Sequence, residues 1–255
     1  MLLLSTAADL YWLGRYLSRA QSLVSVLLNA FNEATRDNLT IPLSMTATGS
    51  YYYQQYSELK ESSVAAFFLD GQNPSSVSAC VASLRADAQA TRGRLSQDLW
   101  LSINTLYLDW QVAFLTQKDF ADSFKRYQTL QIQLQELMTK VEFEPDNQVQ
   151  LFINIGIGVE VLDGLLRYSL IKSNGEIDTT LALTAIKGLS SNVAMLPHSI
   201  WGNVSDCVDR LQHFTTQTQS QAMLLSQMAQ TQSSTMLLQQ HLQDLTKALS
   251  DVFAH

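Results

Sequence analysis

The residues from Ser5 to Arg36 constrain this chain more than any other stretch. Leu10, Leu13, Leu17, Ala20, Val24, Leu27 and Phe31 recur at steps of three and four, the spacing that lines up one face of an α-helix. Beside them run Trp12, Tyr16, Leu23, Val26 and Ala30, with Arg19 as the only charge in this second stripe. The remaining strip, Gly14, Ser18, Gln21, Ser25 and Asn32, is small or polar. A helix with two apolar faces is a central one, and its third strip is either wet or closely packed. An arginine on a buried face needs a carboxylate or several acceptors, because an unpaired desolvated charge is costly.

Other long segments share the 3.6-residue period, and glycine and proline are scarce, ten and four in 255 residues. The class expected is therefore all-α: one domain over residues 1–255, with 46% hydrophobic residues to fill its core. Charged residues are only 15%, against a usual figure of about 25%. Gln, Ser, Thr and Asn cover the polar faces instead. A net charge of −7 without a Lys/Arg cluster removes the electrostatic footprint of a nucleic-acid binder. Met1 to Leu4 has no basic flank, so no signal peptide is expected. Asn154, Glu160 and Asp163 interrupt the apolar run 151–166, so no membrane span is expected and the protein is placed in the cytoplasm. Cys80 and Cys207 are expected to be reduced core thiols.

Punctuation divides the chain. Thr6 is the expected cap of the first helix, which is to run until Arg36-Asp37-Asn38 and Pro42. Tyr51, Tyr52, Tyr53 and Tyr56 are expected at a packed loop-to-helix junction, with a helix from Glu58 to Phe68. In Asp70-Gly71-Gln72-Asn73-Pro74-Ser75-Ser76 the expected cap is Asn73, with Pro74 in the first helical position. Helices are then expected over Pro74 to Arg94, from Ser96 through Trp110, and over Asp119 to Val141. Glu144-Pro145-Asp146 breaks the pattern and a new helix begins near Asn147. A Gln-rich helix from Gln221 to Phe253, with Leu238, Leu242, Leu245, Leu249 and Val252 in one stripe, is expected to close the bundle.

The pattern restarts at the midpoint. Phe152, Ile155, Val159, Leu162 and Leu166 repeat Leu10, Leu13, Leu17, Ala20 and Val24 at an offset of 142, with Gly156 in the place of Gly14. Val77-Ser78-Ala79-Cys80-Val81 returns as Val204-Ser205-Asp206-Cys207-Val208 at an offset of 127. The architecture expected is a compact helical bundle built from two divergent internal repeats, about 5–145 and about 146–255.

No catalytic signature is present. The histidines His198, His213, His241 and His255 lack metal-ligand spacing, and there is no nucleophile elbow or phosphate-cradling glycine loop. No catalytic residue, metal or cofactor is expected. Gly156, Gly158 and Gly164 read as points of close helix approach. Among polar residues, Arg19 and Glu160 stand out, followed by Arg85, Arg92, Asp98 and Asn104.

Leu10-Tyr11-Trp12-Leu13-Gly14-Arg15-Tyr16-Leu17-Ser18-Arg19-Ala20 resembles the alpha-E family of bacterial all-helical proteins, named for a Glu-Arg motif in this stretch. Phe67-Phe68-Leu69-Asp70, Asn73-Pro74-Ser75-Ser76-Val77, Cys80, Arg92, Leu95-Ser96, Trp100, Asn104 and Leu106-Tyr107-Leu108 follow the family's order and spacing. The resemblance implies a substrate or partner site at Arg19, Glu160, Arg92, Trp12, Arg15, Asp98 and Asn104. It also implies work beside a circularly permuted ATP-grasp ligase, often with a transglutaminase-like peptidase, in peptide or amide synthesis. On that reading the chain is more an accessory protein than an enzyme. The alternatives are an Arg/Glu cleft acting on or binding a carboxylate-bearing peptide, and a plain scaffold.

The motif itself is split. Ser18-Arg19 stands where the family has Glu-Arg, and Glu160-Val161 stands in the second repeat. Adjacent helical residues point about 100° apart, so neither half can pair within its own motif. The expectation is that Arg19 and Glu160 meet across the bundle centre.

Overall fold

In the computed structural model, residues 2–116, 119–171, 179–222 and 229–254 are described. The long periodic stretch forms α1, Leu4–Asn32. It is followed by α2 (Arg36–Met45), α3 (Gly49–Gln55), α4 (Glu61–Leu69), α5 (Val77–Ala90), α6 (Gln97–Thr116) and α7 (Phe120–Glu142). Past the break at Pro145 come α8 (Asn147–Ile171), α9 (Thr179–Val193), α10 (His198–Ala222) and α11 (Ala229–Phe253). There is no strand among the described residues. The all-α class read from the sequence is what the chain forms.

α1 lies at the centre, packing along α8 and α5 and touching α7, α2 and α11. Its first stripe is core as read: Leu10, Leu13, Leu17, Ala20, Val24, Leu27 and Phe31 are all buried. The second stripe is buried only in part: Leu23 and Ala30 are enclosed, but the rest is not. Trp12 is 38% exposed and Tyr16 and Val26 are half-buried, whereas Gly14, Arg15 and Ser18 are buried. The small residues were the packed strip because they let another backbone in. A Cβ on Gly14 would collide with the carbonyl oxygen of Ile153, and one on Gly156 with that of Tyr11. The contact is reciprocal, and the offset of 142 relates both its glycines and the two residues whose carbonyls meet them.

α8 sits between α1 and the later helices, touching α9, α11 and α2. By length and composition Asn147–Ser169 is apolar enough to cross a membrane, with mean hydropathy 1.6, although no such run was expected. Over half of that segment is buried inside the bundle, with Ile153 and Val159 fully enclosed. It is apolar because it is packed on several sides. α11 closes the bundle against α10 and α8, with Leu238, Leu242, Leu245 and Leu249 buried. Its Phe253 reaches Tyr11 and Trp201, with ring centroids 5.3 and 5.6 Å apart.

Several boundaries differ from those read in the sequence. α1 begins before Thr6, with Leu3 at its cap position and no side-chain cap, and it ends at Asn32, before Arg36. α4 starts at Glu61 rather than Glu58. Tyr51–Tyr53 lie in α3, where Tyr52 is fully buried and stacks on Tyr56 at 5.1 Å. Gln221 and Ala222 belong to α10 and α11 is described from Ala229; residues 223–228 of the expected last helix lie outside the described residues. α5 starts at Val77 with Ser76, not Asn73, as its cap; the Ser76 hydroxyl accepts from the Ala79 amide. Asn73 is committed elsewhere. Fully buried, it donates through Nδ2 to the Phe67 carbonyl at 3.2 Å and accepts from the Ser75 amide at 3.0 Å, so it fixes the loop instead of opening the helix.

Gly14→Ala and Gly156→Ala are each expected to lose at least about 3 kcal/mol in urea unfolding, because a backbone must move to admit the methyl group. Gly164→Ala, where an added Cβ meets nothing within 4 Å, is expected to gain up to about 1 kcal/mol from helix propensity.

A buried arginine–glutamate cluster and its cleft

Beside the glycine contact, side chains of α1 and α8 form one ionic cluster. Glu160 is 7% exposed and accepts three guanidinium hydrogen bonds. Arg19 gives two of them, Nε to Oε1 at 2.7 Å and Nη2 to Oε2 at 2.8 Å. Arg15 gives the third, Nε to Oε2 at 2.6 Å. The expected pairing of Arg19 with Glu160 is present, in the side-by-side form that holds a carboxylate most firmly.

Arg15 is the more deeply buried arginine, at 6%. It also donates through Nη1 to the Tyr11 hydroxyl at 3.1 Å and lies 3.6 Å from Asp163. Its guanidinium sits over the Trp12 ring, 5.4 Å from the centroid, so Trp12 covers one side of the cluster. Arg167, one turn beyond Asp163, donates to it through Nε at 3.1 Å and through Nη1 to the Met45 carbonyl at 3.2 Å.

Burial works against the charge on Glu160, but hydrogen bonds and charge from Arg19 and Arg15 outweigh it and hold the carboxyl below its ordinary value. Burial likewise opposes the charge on Arg15, and Tyr11 and Glu160 reverse it, leaving its pKa raised. Cys80 of α5 is close enough to feel both Arg19 and Glu160, and burial pushes its thiol up to about 12. It stays protonated and unreactive at neutral pH.

A cleft of about 240 Å³ opens at the edge of this cluster. α1 contributes Arg19, and α8 contributes Glu160, Gly164 and Arg167. The far wall is Met45 and Thr46 at the end of α2, with Pro74 and Ser75 from the loop that Asn73 fixes. Gly164 is therefore a cleft residue and not the point of close helix approach read from its helical setting. Gly158 faces the Leu189 side chain and the Ala185 carbonyl of α9 at ordinary contact distances, 3.6 to 3.9 Å, whereas Gly156 alone of the three sits where an added Cβ would collide with another helix's backbone.

The remaining candidate residues are elsewhere. Arg92 lies over the Trp100 ring at 5.1 Å, Asp98 forms an exposed pair with Lys140 at 2.6 Å, and Asn104 accepts from Arg85 at 3.1 Å. None of these contacts involves Arg15, Arg19 or Glu160. Asp163, Gly164 and Arg167 were not selected from the sequence as a set. Their signal is the steps of three and four from Glu160, which put all four on one helix face.

A half-buried carboxylate outside the cluster, Asp87, has one enclosed oxygen. Oδ2 of Asp87 in α5 is enclosed without a hydrogen-bond partner among the described residues, and burial together with the charge of Asp9 pushes it up to about 7. The two acids have opposite linkage. Glu160, with a lowered pKa, contributes stability above the ordinary value of 4.5 and loses it as pH falls. Asp87, with a raised pKa, costs stability as pH rises from its ordinary 3.8 through about 7. In thermal unfolding across this range, Glu160→Gln is expected to cost about 3–5 kcal/mol near neutrality, with the difference shrinking in acid. The stability of Asp87→Asn relative to wild type is expected to rise with pH through the same range.

The family model named Alpha-E, described as a predicted alpha-helical domain with a conserved ER motif, matches residues 2–191. That span holds the whole cluster and cleft. No curated protein and no solved structure matches significantly. The chain contains no Glu-Arg dipeptide, yet Arg19 and Glu160 are joined in space at the crossing of α1 and α8. On a match that covers about three quarters of its length, this chain belongs to the Alpha-E family.

Proposed function

We propose that the chain is a non-catalytic helical accessory protein of a bacterial cytoplasmic system that makes or modifies peptide or small-molecule amide bonds. Its principal partner on this reading is an ATP-grasp ligase, with a transglutaminase-like peptidase as a second. The observation that carries the non-catalytic half is the state of Glu160: a carboxylate held by three guanidinium hydrogen bonds with a lowered pKa is a poor proton donor or acceptor near neutrality. Cys80, the thiol nearest the cluster, is protonated and enclosed. The partnership itself follows from the family resemblance.

An enzymatic cleft was expected to gather Arg19, Arg92 and Glu160. Arg19 and Glu160 do border a cleft, already engaged with each other, while Arg92 rests on Trp100. This arrangement favours binding over turnover.

The test is co-expression of the full chain with the ATP-grasp ligase encoded beside it, followed by affinity capture and size-exclusion chromatography. A stable co-eluting complex is expected. Elution of two separate species, with ligase activity unaltered by the chain, would overturn the reading.

A further inference from the structure

We propose that the cleft between α1, α2 and α8 binds a small molecule through a single carboxylate group, such as the C-terminus of a short peptide. Charge is the first argument. The cluster joins Arg15, Arg19 and Arg167 to Glu160 and Asp163, so three guanidiniums face two carboxylates. One positive charge is left over, in a chain whose net charge is −7. Arg19 and Arg167 bring it to the cleft wall, with side chains 35% and 48% exposed. No hydrogen bond among the described residues uses Nη1 of Arg19.

One excess charge matches one carboxylate. A phosphate dianion would exceed it and set a second negative charge beside Glu160 and Asp163. α5 begins at Val77, two residues after Ser75, and its N-terminal end adds a favourable dipole near the same wall.

Shape gives the class of molecule. About 240 Å³ lies just below the range of about 300–1,000 Å³ for drug-sized ligands and suits an amino acid or dipeptide. Met45 and Pro74 offer apolar surface opposite the arginines, so the ligand is amphiphilic. Gly164 keeps the space open: an added Cβ there meets nothing, in a helix interior where almost any other residue would favour the helix more. The inference is independent of the ligase partnership, since a chain that binds no ligase can still bind a carboxylate.

The experiment is a titration of the full chain, by calorimetry and by amide chemical shifts, with N-acetyl-alanyl-alanine, with its C-terminal carboxamide, and with inorganic phosphate. The acid is expected to saturate one site in the millimolar range or tighter. The carboxamide is expected to bind at least about tenfold more weakly, the value of a lost charge-assisted bond, and phosphate more weakly than the acid. Arg167→Gln is expected to weaken the acid about tenfold. Gly164→Leu, which fills the cleft, is expected to abolish binding while keeping the wild-type circular dichroism and a melting temperature at or above that of the wild type. Absence of saturation by the acid, equal binding of acid and carboxamide, phosphate binding as tight as the acid, or unchanged binding by a folded Gly164→Leu variant would each overturn the proposal.

Discussion

The architecture depends on the approach of two backbones. Gly14 and Gly156 each admit a carbonyl of the opposite helix, from Ile153 and Tyr11. Only a position without a side chain allows α1 and α8 to come this close. Close approach then brings the next turns together, and Arg15, Arg19 and Glu160 fall within hydrogen-bond reach. A buried charge without its partner is destabilising, so the glycines and the ions act together: the former set the distance and the latter reward only that register.

The cleft arises at the margin of the same seam. α1 and α8 supply its charged wall, and the seam ends there in half-exposed guanidiniums instead of a closed core. The opposite wall comes from two loops with their own internal support. Ser76 caps α5 and Asn73 braces the turn before it. Thr46 ends α2 by donating to the Pro42 carbonyl at 2.8 Å, and Ala47 beyond it takes a left-handed conformation, with φ of 54°. Two fixed loops against a rigid helix pair give a preformed recess rather than one that must be assembled by a ligand.

The legible parts of the fold were those with local causes. Leu10 through Phe31 could be read as a buried stripe because a 3.6-residue period is printed in the order of residues, and Glu144-Pro145-Asp146 could be read as a break because proline restricts its own neighbours. Asn73 and Thr6 misled for the same reason: each is a good cap residue, but Asn73 is spent on the Phe67 carbonyl, and the first turn of α1 is held by the burial of Ala7 and Leu10 rather than by a cap. The Arg19–Glu160 pair was legible only through the matching offset of the two halves. Arg15 gave no comparable sign of burial, since the same offset matches it to Ile157 and not to a carboxylate. The cleft was invisible as a cavity because Gly164 looks like its neighbours Gly156 and Gly158 until the space around it is known.

The central claim is that α1 and α8 are held by mutual dependence of Arg15, Arg19 and Glu160, and a double-mutant cycle tests it most directly. Arg15→Met, Glu160→Gln and the pair together are to be compared with wild type by urea unfolding at neutral pH. The account requires strong coupling, with the double variant more stable than the sum of the single losses implies by at least about 2 kcal/mol. Losses that add to within about 0.5 kcal/mol would mean that the side chains are stabilised separately, and the claim would fail.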